Sequence, residues 1–373
     1  MAVLNEEQTM LRDAAREWTR DNAPVSAFRK LRDSGTGLGY DPTLFAQMAE
    51  MGWAGVVIPE AYGGSDFGYL SLGLVLEETG RTLTASPLLA SGQAAASALV
   101  LGGSDAQKSR WLPGIAAGEV VATLAVDEGP RHAPEKIAMK AERDGDGWRL
   151  TGAKVFVPEG MAANLFIVAA RTAEGVSLFL VPADADGLGR TRVRTADMRG
   201  VASLSFEAVR LDADAELKGG ALSGGALLEA VLDRARAGLS AEMLGMAVQA
   251  FETTLDYMKT RVQFGQTIGS FQALQHRAAE MFTELELTRS AVEAALAAID
   301  AGGSDVAELS SLAKLRACET LHLVSNEMVQ LHGGIGMTDE HDAGFYLKRA
   351  RAAEATWGGL SYHRERFGRL NGF

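Results

Sequence analysis

Two segments combine residue types and spacings suited to chemistry: Arg261 to His276, RVQFGQTIGSFQALQH, and Gln330 to Glu340, QLHGGIGMTDE. Arg261 can fork onto two phosphate oxygens and is always charged. Phe264 offers an aromatic face beside Gly265, and Gln272, Gln275 and Gln330 carry amides that both donate and accept. Gly333, Gly334 and Gly336 lack the β-carbons that would hold a ligand off the backbone. The combination predicts a dinucleotide lying against helices, with no GxGxxG strand–turn–helix unit to hold it. Asp233 and Arg236 stand three apart on an expected helix and so share a face. An ordinary surface ion pair is one reading of them. His132, His276, His322, His332, His341 and His363 form no tight ligand cluster, so no metal is expected. Cys318, the only cysteine, can form no intramolecular disulfide, and its amphipathic surroundings predict a small buried residue.

These residues need elements to position them, and 373 residues suffice for two or three domains. Helical spacing dominates the first third: Asn5 before Glu6, Glu7 and Gln8 reads as a capping box, and helices are expected over 42–51, 69–82, 94–101 and 105–115. After Gly118 the texture changes to short runs rich in β-branched residues, among them LFIVAART and VSLFLVPAD, which predict a small antiparallel β domain. Beyond the Gly/Ser-rich link at 219–225, long runs at 226–261, 270–301, 304–331 and 342–369 predict a four-helix bundle. The expected fold is mainly α with a central β domain: a helical domain over 1–118, a β domain over 119–222 and a bundle over 226–373. The net charge of −12 argues against binding to nucleic acid or an anionic membrane. With no apolar stretch long enough to span a bilayer and no signal-peptide pattern, the expected location is the cytoplasm.

This order of elements, with the two opening segments, resembles the acyl-CoA dehydrogenase family over nearly the whole chain. IPEAYGG (58–64) is similar to the family's PEEYGG turn, Arg261 to His276 to its R-x-x-FG…FQ segment, and Gln330 to Glu340 to its Q-x-HGG-x-G segment. The resemblance implies FAD, with the isoalloxazine between a β domain and a bundle and the adenosine diphosphate portion crossing to a neighbouring subunit. Arg261, Phe264 and Gln272 would hold that portion, with Gln330, Gly333 and Gly334 beside the adenine and ribose. Phe156 and Gly359 would lie at the flavin end. Asp233 and Arg236 match a D-x-x-R that contacts acyl-CoA in family members. Also implied are a homodimer or homotetramer and an electron-transferring flavoprotein as partner, with α,β-desaturation of an acyl-CoA thioester as the reaction.

The departures from the family fall on the chemistry. The usual glutamate base corresponds to Trp357 here, and the alternative position on the first bundle helix is Ala235. Removal of a thioester α proton needs an aligned base; Glu242, Asp233, Glu354 and His363 are the possible substitutes. The family's W-I-T/S becomes Phe156, Val157 and Pro158, and Pro158 has neither N–H nor hydroxyl to offer a flavin. GAKVFVPEGMAANLFIVAART is similar to the central β segment of a branch of two-gene heteromeric subunits. Three readings therefore stand: a dehydrogenase with a displaced base, a base-lacking partner subunit in a heterotetramer with a homologous chain, and another flavoenzyme (a monooxygenase or oxidase) on the same scaffold.

Overall fold

A computed structural model describes residues 4–373. Asn5 opens α1 (Glu6–Asn22) through the expected capping box: its side chain accepts from the Gln8 N–H at 2.7 Å while Gln8 accepts from the Asn5 N–H at 3.2 Å. There follow α2 (Val25–Ser34), which the periodicity did not single out, α3 (Pro42–Glu50), capped by Asp41, and α4 (Tyr69–Arg81). A π-helical segment, Leu88–Ala95, runs into α5 (Ala96–Gly102), and α6 (Asp105–Ala116) starts with a second capping box on Ser104. By compactness the chain forms two units. One holds residues up to Arg29, Gly73–Thr84 and Arg236–Phe373; the other holds Lys30–Leu72 and Ala85–Ala235.

Within the second unit the sheet comprises β1 (Ala122–Ala125), β2 (Lys140–Asp144), β3 (Gly147–Val157), β4 (Leu165–Thr172), β5 (Gly175–Pro182), β6 (Leu188–Arg192) and β7 (Ala202–Leu211). Their order is β1-β4-β2-β3-β7-β6, with β5 paired to β4. Most pairings are antiparallel as expected, but β4 runs parallel to both β1 and β2, so the sheet is mixed. Leu165 to Ala170 of β4 are buried without alternation, the mark of a strand covered on both faces. The core gathers Met139, Leu150, Phe166, Leu204 and Phe206 around Trp148 and Phe179, whose rings meet edge-on at 5.0 Å. Two register shifts interrupt the β3–β7 ladder, one between Leu150 and Gly152 and one between Lys154 and Val157. The second is a bulge that turns Phe156 into a left-handed conformation, φ 53°.

The first unit is built on α7 (Gly224–Thr260) from Arg236 onward, with α8 (Gln272–Asp300), α9 (Val306–His332), α10 (Ala343–Ala355) and α11 (Leu360–Leu370). Two glycines let α4 and α7 touch backbone to backbone: a Cβ on Gly80 would lie 2.2 Å from the Glu242 carbonyl oxygen, and one on Gly245 would lie 1.8 Å from that of Glu77. The single helix expected over 342–369 is two helices. Trp357 adopts φ 53° and Gly358 φ 104°, so the helical hydrogen-bond ladder cannot continue through them. That break coincides with the position matched to the missing base.

Candidate cofactor site

At one end of the bundle α7 finishes in a hairpin. Phe264 and Gly265, with φ of 52° and 81°, join β8 (Val262–Gln263) to β9 (Gln266–Thr267). Positive φ at both central residues is the tight-turn geometry that matches strand twist. The turn pushes the Phe264 ring outward, 92% exposed, with only an edge contact to Phe271 at 6.1 Å. Arg261 and Gln272 are exposed on either side of it, and Gln330 is exposed in the last turn of α9. Tyr257 stacks on His332 at 4.4 Å, which sets the C-terminal ends of α7 and α9 side by side. Gly333 leaves α9 at φ 64° and ψ −139°, a conformation essentially reserved for glycine. A Cβ on Gly334 would meet nothing within 4 Å, so space beside that backbone is open. An arginine, two amides, an open phenyl face and bare backbone thus share one end, and this donor set fits an adenosine diphosphate group. His332 is not part of the open face. It is buried, its Nδ1–H donates to the Met328 carbonyl at 2.7 Å, and its ring lies 4.3 Å from that of His341, tilted by 45°.

The turn between α10 and α11 lies toward the other end. Arg236 precedes the end of α7 at Thr260 by about 24 residues, or about 36 Å of helical rise. The hairpin and the Trp357 turn therefore stand well apart along α7. Arg236 is fully buried; its Nε donates to the Trp357 carbonyl at 3.2 Å and its Nη2 to the Tyr362 hydroxyl at 3.1 Å. Asp233 is also buried, so neither belongs to a surface ion pair. The His363 Nε2–H donates to the same Trp357 carbonyl at 3.1 Å, and its Nδ1 is buried with no hydrogen-bond partner. Burial, with the Arg236 and Lys314 charges adding to it, pushes that imidazole down to about 2, which makes it a feeble base. Glu242 is buried against Arg349, at 2.9 Å and 3.2 Å. Glu354 accepts from Arg351 at 2.6 Å and meets His322 at 3.3 Å. Ala235 is fully buried on α7, and a Cβ on Gly359 would meet only the Glu354 carbonyl oxygen, at 3.5 Å.

Sequence reasoning missed Lys314. It is fully buried, and its Nζ donates to the carbonyls of Ala353, Glu354 and Gly358 at 3.0, 3.2 and 3.1 Å. The signal was present: Ser310, Lys314, Ala317, Leu321, Val324 and Met328 recur at three- and four-residue spacing, and all are buried.

In the β domain Phe156 is 49% exposed and so available for stacking. Pro158 contributes only a carbonyl, and the Thr123 hydroxyl donates to it at 2.6 Å. The neighbouring segment is held by Lys154, buried on β3, which donates to the Val126 carbonyl at 2.9 Å and to Glu128 at 2.8 Å. Glu128 also accepts from the Ala138 and Met139 N–H groups. Burial alone would raise the Glu128 carboxyl, but those bonds outweigh it and hold it below the usual range. Among the described residues eight non-glycines have positive φ, and the three aromatics among them are Phe156 and Phe264, matched to a flavin site, and Trp357, matched to the usual base. Such strain persists only where surroundings over-determine it, and it gathers at functional sites.

Comparison with known proteins extends over the chain. The family model described as acyl-CoA dehydrogenase, N-terminal domain, matches residues 5–119; the middle-domain model matches 127–212 and the C-terminal-domain model 223–369. Acyl-CoA dehydrogenase FadE12 of Mycobacterium tuberculosis is 32% identical over 365 residues, 94% of this chain and 92% of that protein. Among solved structures, a variant of the Tcur3481-Tcur3483 steroid ACAD superposes with a TM-score of 0.89 at 35% identity, covering 98% of both chains. The ChsE4-ChsE5 complex from Mycobacterium tuberculosis gives 0.92 at 27% identity, over 100% of both chains.

Proposed function

The chain belongs to the acyl-CoA dehydrogenase family, and from that premise we propose that it is the base-lacking, FAD-completing subunit of a heteromeric acyl-CoA dehydrogenase. An FAD-dependent oxidoreductase of this family acts on an acyl-CoA thioester, and bound FAD supplies the acceptor for the hydride leaving Cβ. An electron-transferring flavoprotein would be the electron acceptor. The observation that carries the proposal is the turn at 356–359. Trp357 stands where a carboxylate would take the α proton, Glu242 and Glu354 are paired with arginines, and burial makes His363 a feeble base. Without an aligned base the α proton stays in place, whatever else the site binds.

This chain's contribution lies at the adenosine end. Arg261 would fork onto the diphosphate. Phe264 would cover it, and the Gln272 and Gln330 amides would orient adenine and ribose where Gly333 and Gly334 let backbone approach. In the β domain Phe156 would stack on a flavin ring that Pro158 cannot hydrogen-bond. The distance along α7 supports a neighbouring subunit completing each cofactor site. Two neighbours in the comparison carry two-component names, Tcur3481-Tcur3483 and ChsE4-ChsE5, which favours a homologous glutamate-bearing partner.

The test is the visible spectrum and acyl-CoA turnover of the chain purified alone and co-expressed with such a homologue. The expected result is no turnover alone, with flavin retention and acyl-CoA-driven bleaching in the complex. Bleaching and turnover by the chain alone would instead make it a self-sufficient homo-oligomer with a displaced base. Oxygen consumption without an added acceptor would make it an oxidase or monooxygenase.

A further inference from the structure

We propose that Lys314 is a positioning residue whose ammonium locks the Trp357–Gly359 turn, so that Trp357 is presented in one fixed conformation. An ammonium has three N–H donors, and Lys314 has three carbonyl acceptors, at Ala353, Glu354 and Gly358. The first two lie in the last turn of α10 and the third lies beyond Trp357, so one side chain bridges the helix end and the far side of the turn. The fourth neighbour, the Cys318 thiol at 3.3 Å, itself points at the Glu354 carbonyl, 3.8 Å away. Arg236 and His363 hold the Trp357 carbonyl from the other direction. The two peptide groups that follow Trp357 therefore cannot rotate without breaking bonds to buried side chains. A bulky residue at φ 53° needs such restraint, because nothing in its own chemistry favours that conformation.

The ammonium takes no carboxylate hydrogen bond in this arrangement. The Glu354 carboxylate, the acidic group opposite it on α10, is engaged by Arg351 and His322. The charge is instead met by the carbonyl end of α10, where a helix favours a cation. The titratable and charged groups facing Lys314 are Cys318 on α9, Glu354 on α10, Arg236 on α7 and His363 on α11. Burial outweighs the help from Cys318 and Glu354 and lowers the lysine below its ordinary 10.5. Once neutral, the amine has two N–H groups for three carbonyls and turns a lone pair on an oxygen, so the turn should loosen at a pH where ordinary lysines are still charged.

Acrylamide quenching of the full chain reads this directly. Subtraction of the Trp357→Phe variant isolates Trp357 from Trp18, Trp53, Trp111 and Trp148. The expected result is a Trp357 component shielded at neutral pH that becomes several-fold more quenchable in a step below the ordinary lysine range. In Lys314→Met it should be that quenchable already at neutral pH, with no alkaline step and the other four tryptophans unchanged. An unchanged Trp357 in Lys314→Met, or the same alkaline step surviving there, would overturn the proposal. If the variant fails to fold, the wild-type titration decides, and absence of the step refutes the role. No flavin or partner chain is needed, so this result is independent of the heteromer reading.

Discussion

At the scale of single residues, side chains that look reactive in the sequence are engaged in holding the structure. Glu242, Glu354, Arg236 and His363 all have charged or backbone partners, on helices or in the Trp357 turn. His363 gives a signed prediction. Its folded value, about 2, lies below the ordinary 6.5, so the unfolded chain takes up the proton first as pH falls. The stability from keeping it neutral is therefore complete above about 6.5 and is lost progressively below it. The steepest loss for one proton is about 1.4 kcal/mol per pH unit. His363→Gln keeps a donor for the Trp357 carbonyl but cannot titrate, so its stability should vary less between about pH 6 and pH 4. Urea unfolding at a series of pH values checks this, and parallel curves for both proteins would refute it. Arg261, Phe264, Gln330 and the glycines were legible as recognition chemistry because their types are unusual in a helix surface. Lys314 was not, because an isolated lysine in a helix reads as solvated until its register on the apolar stripe is counted.

At the scale of elements, the turns decide what the site can do. Gly333 and Gly334 stand side by side but do different work. Gly333 needs a backbone that other residues avoid, so Gly333→Ala should cost about 1–3 kcal/mol by strain alone. No clash contributes, since an added Cβ meets nothing within 4 Å. Gly334 has no positive φ and the same open space. Gly334→Ala should leave stability within about 0.5 kcal/mol yet weaken flavin retention in the assembled protein, because the methyl fills the approach to the backbone. Denaturant midpoints beside flavin content per chain separate the two, and equal effects on both measures would contradict the assignment. Helix existence was legible throughout the bundle, where apolar residues recur over many turns. The break at Trp357 was not, because residues 342–369 keep helical spacing on both sides of it. Likewise β6, β8 and β9 are too short for alternation to reveal, and the parallel pairing of β4 is a matter of neighbours that periodicity does not encode.

For the whole molecule, the proposal is a cofactor shared between chains, tested by its effect on stability. Ligand that binds only the folded state adds about 2.7 kcal/mol at a hundredfold excess over its dissociation constant. FAD should therefore raise the melting temperature of the complex with a glutamate-bearing homologue and leave this chain alone nearly unmoved; an equal rise in both would argue that one chain type closes the site. The sequence by itself determined the family, the order of helical and β segments and the absence of glutamate at Trp357 and Ala235, because composition, periodicity and residue identity are local properties. Only the tertiary structure decided that Glu242 is held by Arg349, that Lys314 bonds the carbonyls around the Trp357 turn, and that hairpin and turn stand apart along α7. Those facts depend on which side chains meet across helices distant in sequence, and burial, partners and ionisation are set only where they meet.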